Sequence, residues 1–318
     1  MVLTVTLNPL LERRLIYSSI KTGTGNRTEQ EYFSAGGKGI NVSRQLKNLD
    51  VPNNALTFIG GNNGRTLRHL ITQEGINVSF SQTRNETRQA VLVKDESACQ
   101  LTTFFGPNSM PDQTEIEDFK TKMKKMIETC QIVVFSGSSP SPLSDEIFPY
   151  GIQLAHELDR ISVCDTYGST LKKCIDAAPT IIHNNISETE KSLGISLDSE
   201  EKILSYMSQL YASDIKQVYL TNGPESVYSS NFGFFYKTDV PEITELDATG
   251  SGDAFTAGLV FGLYNSLTFE ESLRSAVALG CANAASWDIC SVKPEQAGAY
   301  SDKIRVSTIG KKINTLQI

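Results

Sequence analysis

Leu246-Asp-Ala-Thr-Gly-Ser-Gly-Asp-Ala-Phe-Thr-Ala-Gly-Leu259 places a small-residue turn, Gly250-Ser251-Gly252, in front of a run of small and apolar residues. Glycine permits a sharp backbone turn, and the run behind it predicts a helix packed closely on a sheet. The first N–H groups of such a helix have no partner within it. With the helix dipole behind them they form a site for an anion. Asp253 falls in the first helical turn, where it admits two readings. It is an acidic residue suited to a helix start, or a base held where it takes a hydroxyl proton as that oxygen attacks a phosphate.

Outward from this stretch the chain alternates. Short apolar, β-branched runs at 2–7, 55–59, 132–135, 161–165, 180–183 and 217–221 predict buried strands. Helical spacing of apolar residues covers 40–49, 65–74, 114–129, 143–158 and 200–212. Such alternation implies parallel strands with helices on both faces, and ligands gathered beyond the carboxyl ends of the strands. Residues 15–34 and 89–105 instead alternate polar and apolar, which predicts a small accessory sheet able to cover a site. The chain shows no internal repeat, low-complexity segment or Pro-rich linker. One domain over 1–318 is expected, with lid strands drawn from about 12–35 and 84–106.

Bulk properties narrow the function. A net charge of −7 gives no basic field for nucleic acid, so an anionic ligand needs positive charge concentrated in one pocket. The six cysteines lack a Cys-x-x-Cys pair and the three histidines lack ligand spacing, which predicts buried thiols in a reducing compartment and no structural metal. No stretch approaches eighteen apolar residues and the N-terminus lacks a signal-peptide pattern, so a cytoplasmic protein without membrane contact is expected.

Residues 247–262 closely resemble the second signature of the ribokinase/PfkB family of carbohydrate kinases, and Ala35-Gly-Gly-Lys-Gly-Ile-Asn-Val-Ser-Arg44 resembles its first. Gly36-Gly-Lys-Gly39 is not a Walker A loop, because Ser or Thr is missing after Lys38. The resemblance covers nearly the whole chain. It implies an α/β, ribokinase-like three-layer sandwich, with a mostly parallel central sheet and a small β-sheet lid. It implies that Asp253 is the general base and that Gly250, Ser251 and Gly252 form the anion hole. Thr6-Leu-Asn-Pro-Leu-Leu-Glu12, Gly39-Ile-Asn-Val-Ser-Arg44, Thr87-Arg88 and Ser136-Gly-Ser-Ser-Pro140 are similar to the branch of 1-phosphofructokinases and tagatose-6-phosphate kinases.

That branch implies ATP-dependent phosphorylation of a ketohexose phosphate, fructose 1-phosphate first, with tagatose 6-phosphate or fructose 6-phosphate as alternatives. A non-catalytic sugar-phosphate or nucleotide sensor on the same fold is the reading from another class. Acceptor contacts are implied for Glu12, Arg27, Gly36, Gly37, Lys38, Asn41, Arg88 and Ser136. Arg88 and Arg27, with Lys38, would supply the cationic cluster for the phosphate already on the sugar. Nucleotide contacts are implied for Asn185, Thr221, Gly223, Glu225, Gly280 and Asn283, besides Gly250 and Gly252. Asn185-Ile-Ser-Glu188 fits the family's N-x-x-E motif, with Glu188 organising Mg2+ through water; the same pair also reads as a helix cap followed by an early acid. A homodimer through the lid is implied as well.

Three departures bear on the sugar end. Glu12 stands where the family has Asp, His183-Asn-Asn185 stands where Lys-Pro-Asn is usual, and Arg13-Arg14 makes the segment after the opening motif more basic.

Overall fold

The computed structural model describes residues 1–28 and 30–310. Its strands are β1 (Val2–Thr6), β2 (Leu10–Tyr17), β3 (Gln30–Gly36), β4 (Asn53–Gly60), β5 (Val78–Thr83), β6 (Gln89–Asp95), β7 (Gln100–Phe105), β8 (Ile132–Ser136), β9 (Ile161–Asp165), β10 (Ile181–Asn185), β11 (Gln217–Thr221), β12 (Ser226–Asn231), β13 (Phe234–Asp239) and β14 (Arg305–Ile309). Its α-helices are α1 (Lys38–Asn48), α2 (Gly61–Gln73), α3 (Gln113–Ile127), α4 (Ile147–Glu157), α5 (Ser169–Asp176), α6 (Ile186–Leu193), α7 (Glu200–Ala212), α8 (Ser251–Tyr264), α9 (Phe269–Ala284) and α10 (Pro294–Ser301).

The large sheet runs β14-β13-β12-β11-β10-β9-β8-β1-β4-β5. From β5 to β11 every pairing is parallel, and β12, β13 and β14 extend that edge antiparallel. Strands covered on both faces must be apolar almost throughout, and β1 and β8 have no exposed residue. One face packs on α3, α4, α5 and α7 through residues such as Phe119, Phe148, Leu171 and Met207. The other packs on α1, α8 and α9 through Val42, Leu46, Phe255 and Leu273. These are the three expected layers.

The small sheet has the order β3-β2-β6-β7. Its outer pairings are antiparallel, but β2 and β6 run parallel, because a long excursion through α1, β4, α2 and β5 separates them. The first lid strand starts at Leu10, earlier than the alternation from 15 suggested, because β1 passes into it through only Leu7-Asn8-Pro9. The hydrophobic pattern did not predict β5, β12, β13 or β14. The strand β12 buries Ser229 and Ser230 completely beside Val227 and Tyr228, so its apolar run is too short to stand out.

Candidate active site

The ends of the parallel strands deliver side chains to one rim. Asp165 closes β9, Asn185 closes β10 and Thr221 closes β11. These residues, the lid residues Leu10, Glu12 and Arg88, and the start of α8 line a cavity of about 960 Å3.

Gly250 caps α8 in the left-handed region, with φ 81°. A Cβ there would sit 2.4 Å from Ile289 Cγ2, so both the turn and the packing demand glycine. Asp253, in the first turn of α8, is buried. Its Oδ2 accepts a hydrogen bond of 2.7 Å from Asn41 Nδ2, while Oδ1 has no partner among the described residues. Burial pushes the Asp253 carboxyl up to about 7; Lys38 opposes this, and the Asp165 charge adds to it.

Lys38 Nζ lies between two carboxylates, 3.2 Å from Asp165 Oδ1 and 3.3 Å from Glu188 Oε2. Burial disfavours its charge, but Asp165, Glu188 and Asp253 outweigh that and raise its pKa. Burial likewise opposes ionisation of Asp165, but Lys38 and then His183 hold this carboxyl well below the usual range. Asp165 Oδ2 accepts from Ser136 Oγ at 3.3 Å and Thr256 Oγ1 at 3.2 Å. His183 Nδ1 is 2.9 Å from Thr256 Oγ1, and the ring stacks on Phe255. The histidine is therefore tied into the support beneath α8, and its Nε2 lies 3.4 Å from Thr221 Oγ1.

At the lid, Glu12 Oε2 accepts from Ser34 Oγ at 2.9 Å and pairs with Arg14 Nη2 at 3.3 Å. The longer side chain packs against Gly36 and turns along the sheet. Glu12 and Asn41 also line a second cavity, about 730 Å3, whose walls include Arg14, Arg44, Glu74, Lys94 and Trp287. Arg88 donates from Nη2 to Asn8 O at 3.0 Å and from Nη1 to Asn108 Oδ1 at 3.3 Å; burial lowers its pKa.

The remaining sequence candidates divide. Gly37, Thr221, Gly223, Gly252 and Gly280 line the larger cavity. Asn185 lines it too, while its Oδ1 caps α6 by accepting from Ser187 N and Glu188 N, which is the cap reading of that pair. Ser136 lies beneath the rim against Asp165, and Asn283 holds the anion turn from behind by donating to Thr249 O and Ser251 Oγ. Glu225 is exposed beside Asn222 and lines neither cavity. Arg27 stands apart from Arg88 and Lys38 within this chain. It stands exposed between β2 and β3, outside both cavities, because that connection projects from the lid. Lys38 lines the larger cavity together with Arg88, its ammonium lying between Asp165 and Glu188.

Sequence reasoning passed over Asp165, whose only signal was an acid at the carboxyl end of a predicted buried strand. It also gave no role to Arg44, whose contacts arise from the fold.

Comparison with known proteins agrees with this architecture. The profile described as pfkB family carbohydrate kinase matches residues 10–292. The tagatose-6-phosphate kinase of Staphylococcus epidermidis is 29% identical over 100% of both chains. The 1-phosphofructokinase of Borreliella burgdorferi is 30% identical, covering 91% of this chain and 94% of its own. The structure of phosphofructokinase-2 from Escherichia coli in complex with potassium superimposes with a TM-score of 0.88, covering 95% of this chain and 98% of that one, at 22% identity.

Proposed function

This chain belongs to the pfkB family of carbohydrate kinases, and on that premise we propose that it phosphorylates a ketohexose phosphate at the expense of ATP, with fructose 1-phosphate the leading acceptor. Tagatose 6-phosphate is the second reading, favoured by the relative that matches over the whole chain. The observation that carries the reaction is Asp253 Oδ1, a buried carboxylate oxygen with no partner among the described residues, at the mouth of the α8 anion turn.

The acceptor hydroxyl oxygen attacks the terminal phosphorus of ATP, the bond from that phosphorus to the ADP oxygen breaks, and the hydroxyl proton passes to Asp253 Oδ1. General-base help of this kind is worth about 10²–10⁴-fold. The backbone N–H groups after Gly250 and the Lys38 ammonium offset the charge spreading over the transferred group. Arg88 meets the phosphate already on the sugar, and Glu12, with Asn41, meets its hydroxyls. On the nucleotide side stand Thr221, Gly223 and Gly280.

The described residues contain no group of three His, Cys, Asp or Glu able to hold a metal alone. Mg2+ fits the site only by taking most of its ligands from water and phosphate oxygens, as it prefers. Glu188, about a third exposed, and Asn185 would hold those waters, and the ion would offset phosphate charge.

The lid supports a homodimer. Its outer face carries a row, Phe33, Arg13, Val91 and Phe104, crossing all four strands by their pairing register. Phe33 and Phe104 are 45% and 60% exposed there.

The test is a coupled assay over ketohexose 1- and 6-phosphates, with Asp253→Asn beside the wild type. Turnover of at least one of these acceptors is expected, with Asp253→Asn slower by 10²-fold or more, of the order general-base loss gives. An Asp253→Asn rate near wild type would sink the base assignment. Tight ATP binding without turnover of any acceptor would favour a sensor.

A further inference from the structure

The catalytic carboxylate is held by an amide whose own orientation is fixed by a cation. Asn41 presents Nδ2 to Asp253 Oδ2 and Oδ1 to Arg44 Nη1, each at 2.7 Å. An amide can turn to exchange its donor and acceptor ends. A guanidinium on the oxygen forbids the exchange, because a turned amide would point N–H groups at a group that can only donate. Arg44 is itself fixed. Its Nε and Nη2 meet the Glu74 carboxylate at 2.6 and 3.2 Å, and Nη2 also donates to Ala35 O at 2.6 Å. This fork binds α1 to the end of α2 and to the lid strand β3, and Arg44 is well buried within it.

We propose that Arg44, clamped by Glu74, is a positioning residue for catalysis, which orients the Asn41 amide so that it always donates to Asp253. The proposal rests on Asp253 being the base. Without the guanidinium, the Asn41 amide is free to turn its oxygen towards Asp253. Two facing acceptors repel unless the carboxyl is protonated, so the base would be harder to ionise. The same cation lies on the wall of the 730 Å3 cavity beyond Glu12, not on the larger one, so it acts through Asn41 and touches no reacting group.

The other groups facing Asp253 stay in place in such a variant. They are Lys38 from α1, Asp165 from β9, Glu188 from α6 and Cys290 from the segment after α9, and His183 from β10 lies under the neighbouring Gly252. A variant without the guanidinium also loses its bonds to Glu74 and Ala35 O, and none of those bonds touches Asp253.

The experiment uses the full chain, ATP and the best acceptor from the panel, and reads the acid limb of kcat/KM against pH. That limb reports the free enzyme, the state in which the Asn41–Asp253 bond is seen. Arg44→Met and Arg44→Lys are compared with wild type, and Asn41→Ala sets the effect of removing the donor itself. In Arg44→Lys the single ammonium is drawn to the Glu74 carboxylate and leaves Asn41 Oδ1 without its cation. Both Arg44 variants are expected to move the limb upward by about half a unit to one unit, the scale of one hydrogen bond to a carboxylate. Asn41→Ala should move it as far, and Arg44→Met/Asn41→Ala no further. Whichever Arg44 variant folds suffices.

A limb unmoved in every folded Arg44 variant, with Asn41→Ala shifted, would overturn the proposal. Arg44 would then serve only to tie α1 to α2, a role read as a lower melting temperature with no change in pH profile. Failure of the base assignment looks different: the limb would survive in Asp253→Asn.

Discussion

Asp253 lowers the stability of the fold whenever it ionises. Unfolded, its pKa lies near 3.9; folded, burial pushes it up to about 7. Between those values the native state keeps a proton that the unfolded state has lost, so stability falls as pH rises from about 4 to about 7 and stays low above that. Asp253→Asn removes the charge without changing shape and keeps an acceptor for Asn41. Its melting temperature should therefore exceed that of wild type at pH 8, by about 5 °C if the relief is a few kcal/mol, and most of that difference should be gone at pH 4.5. Thermal melts at both values decide the matter, and equal differences at both would refute it. An inactive but sturdier protein is the usual sign of a site built against stability. At this scale the sequence showed most where a residue type has a fixed local job. The glycine turn was legible from type and spacing, whereas for Asp253 these left two readings open, and the role of base was implied only by the family resemblance. Asp165 and Arg44 were not legible, since each acquires its role from partners 127 residues away in one case and across α1, α2 and β3 in the other.

Between residue and molecule, α8 shows why the anion turn stays where it is. This helix is apolar all round and packs on the sheet through one side and on α9 through another. A Cβ at Gly258 would stand 2.5 Å from the Ala276 Cα, so the two helices touch at backbone distance. Gly258→Val would force them apart, at a cost of about 1–3 kcal/mol, typical of an overfilled interior. Because α8 carries Gly250 and Asp253 at its N-terminus, the strain should also appear as a lower kcat in protein that is still folded. Melting temperature and kcat measured together check this, and an unchanged melting temperature would mean the contact is looser than its geometry. The run of small residues predicted a helix packed closely on the sheet, but not that its closest approach is to α9. Elements with apolar periodicity were legible in the same way: β9, β11 and α7 match the expected bounds. The added edge strands were not legible, because β5 and β12 bury hydroxyls such as Ser81 and Ser229 where a pattern of apolar residues would be sought.

For the molecule as a whole, the open question is what lies on the outer face of the lid. The inner face of that sheet, with Glu12, Arg14 and Leu92, belongs to the cavities. Register puts Phe33, Arg13, Val91 and Phe104 on the opposite face. Phe33 and Phe104, at the two edges of the sheet and exposed, give this face apolar surface that a second copy could cover. The alternation in 15–34 and 89–105 announced a sheet with two different faces, but alternation alone cannot say which apolar face meets the site and which meets a partner. If a second copy covers the outer face, the protein should sediment as a dimer at micromolar concentration. Phe33→Asp/Phe104→Asp places two charges in that interface and should give a monomer. The lid would then lose its outer support, so KM for the sugar phosphate should rise several-fold, while the affinity for ATP should change little if, as proposed, the strand ends and α8 bind it. Sedimentation and the two binding constants read these effects separately. A wild type that is monomeric at those concentrations would end the argument for pairing through the lid, whatever the variant does.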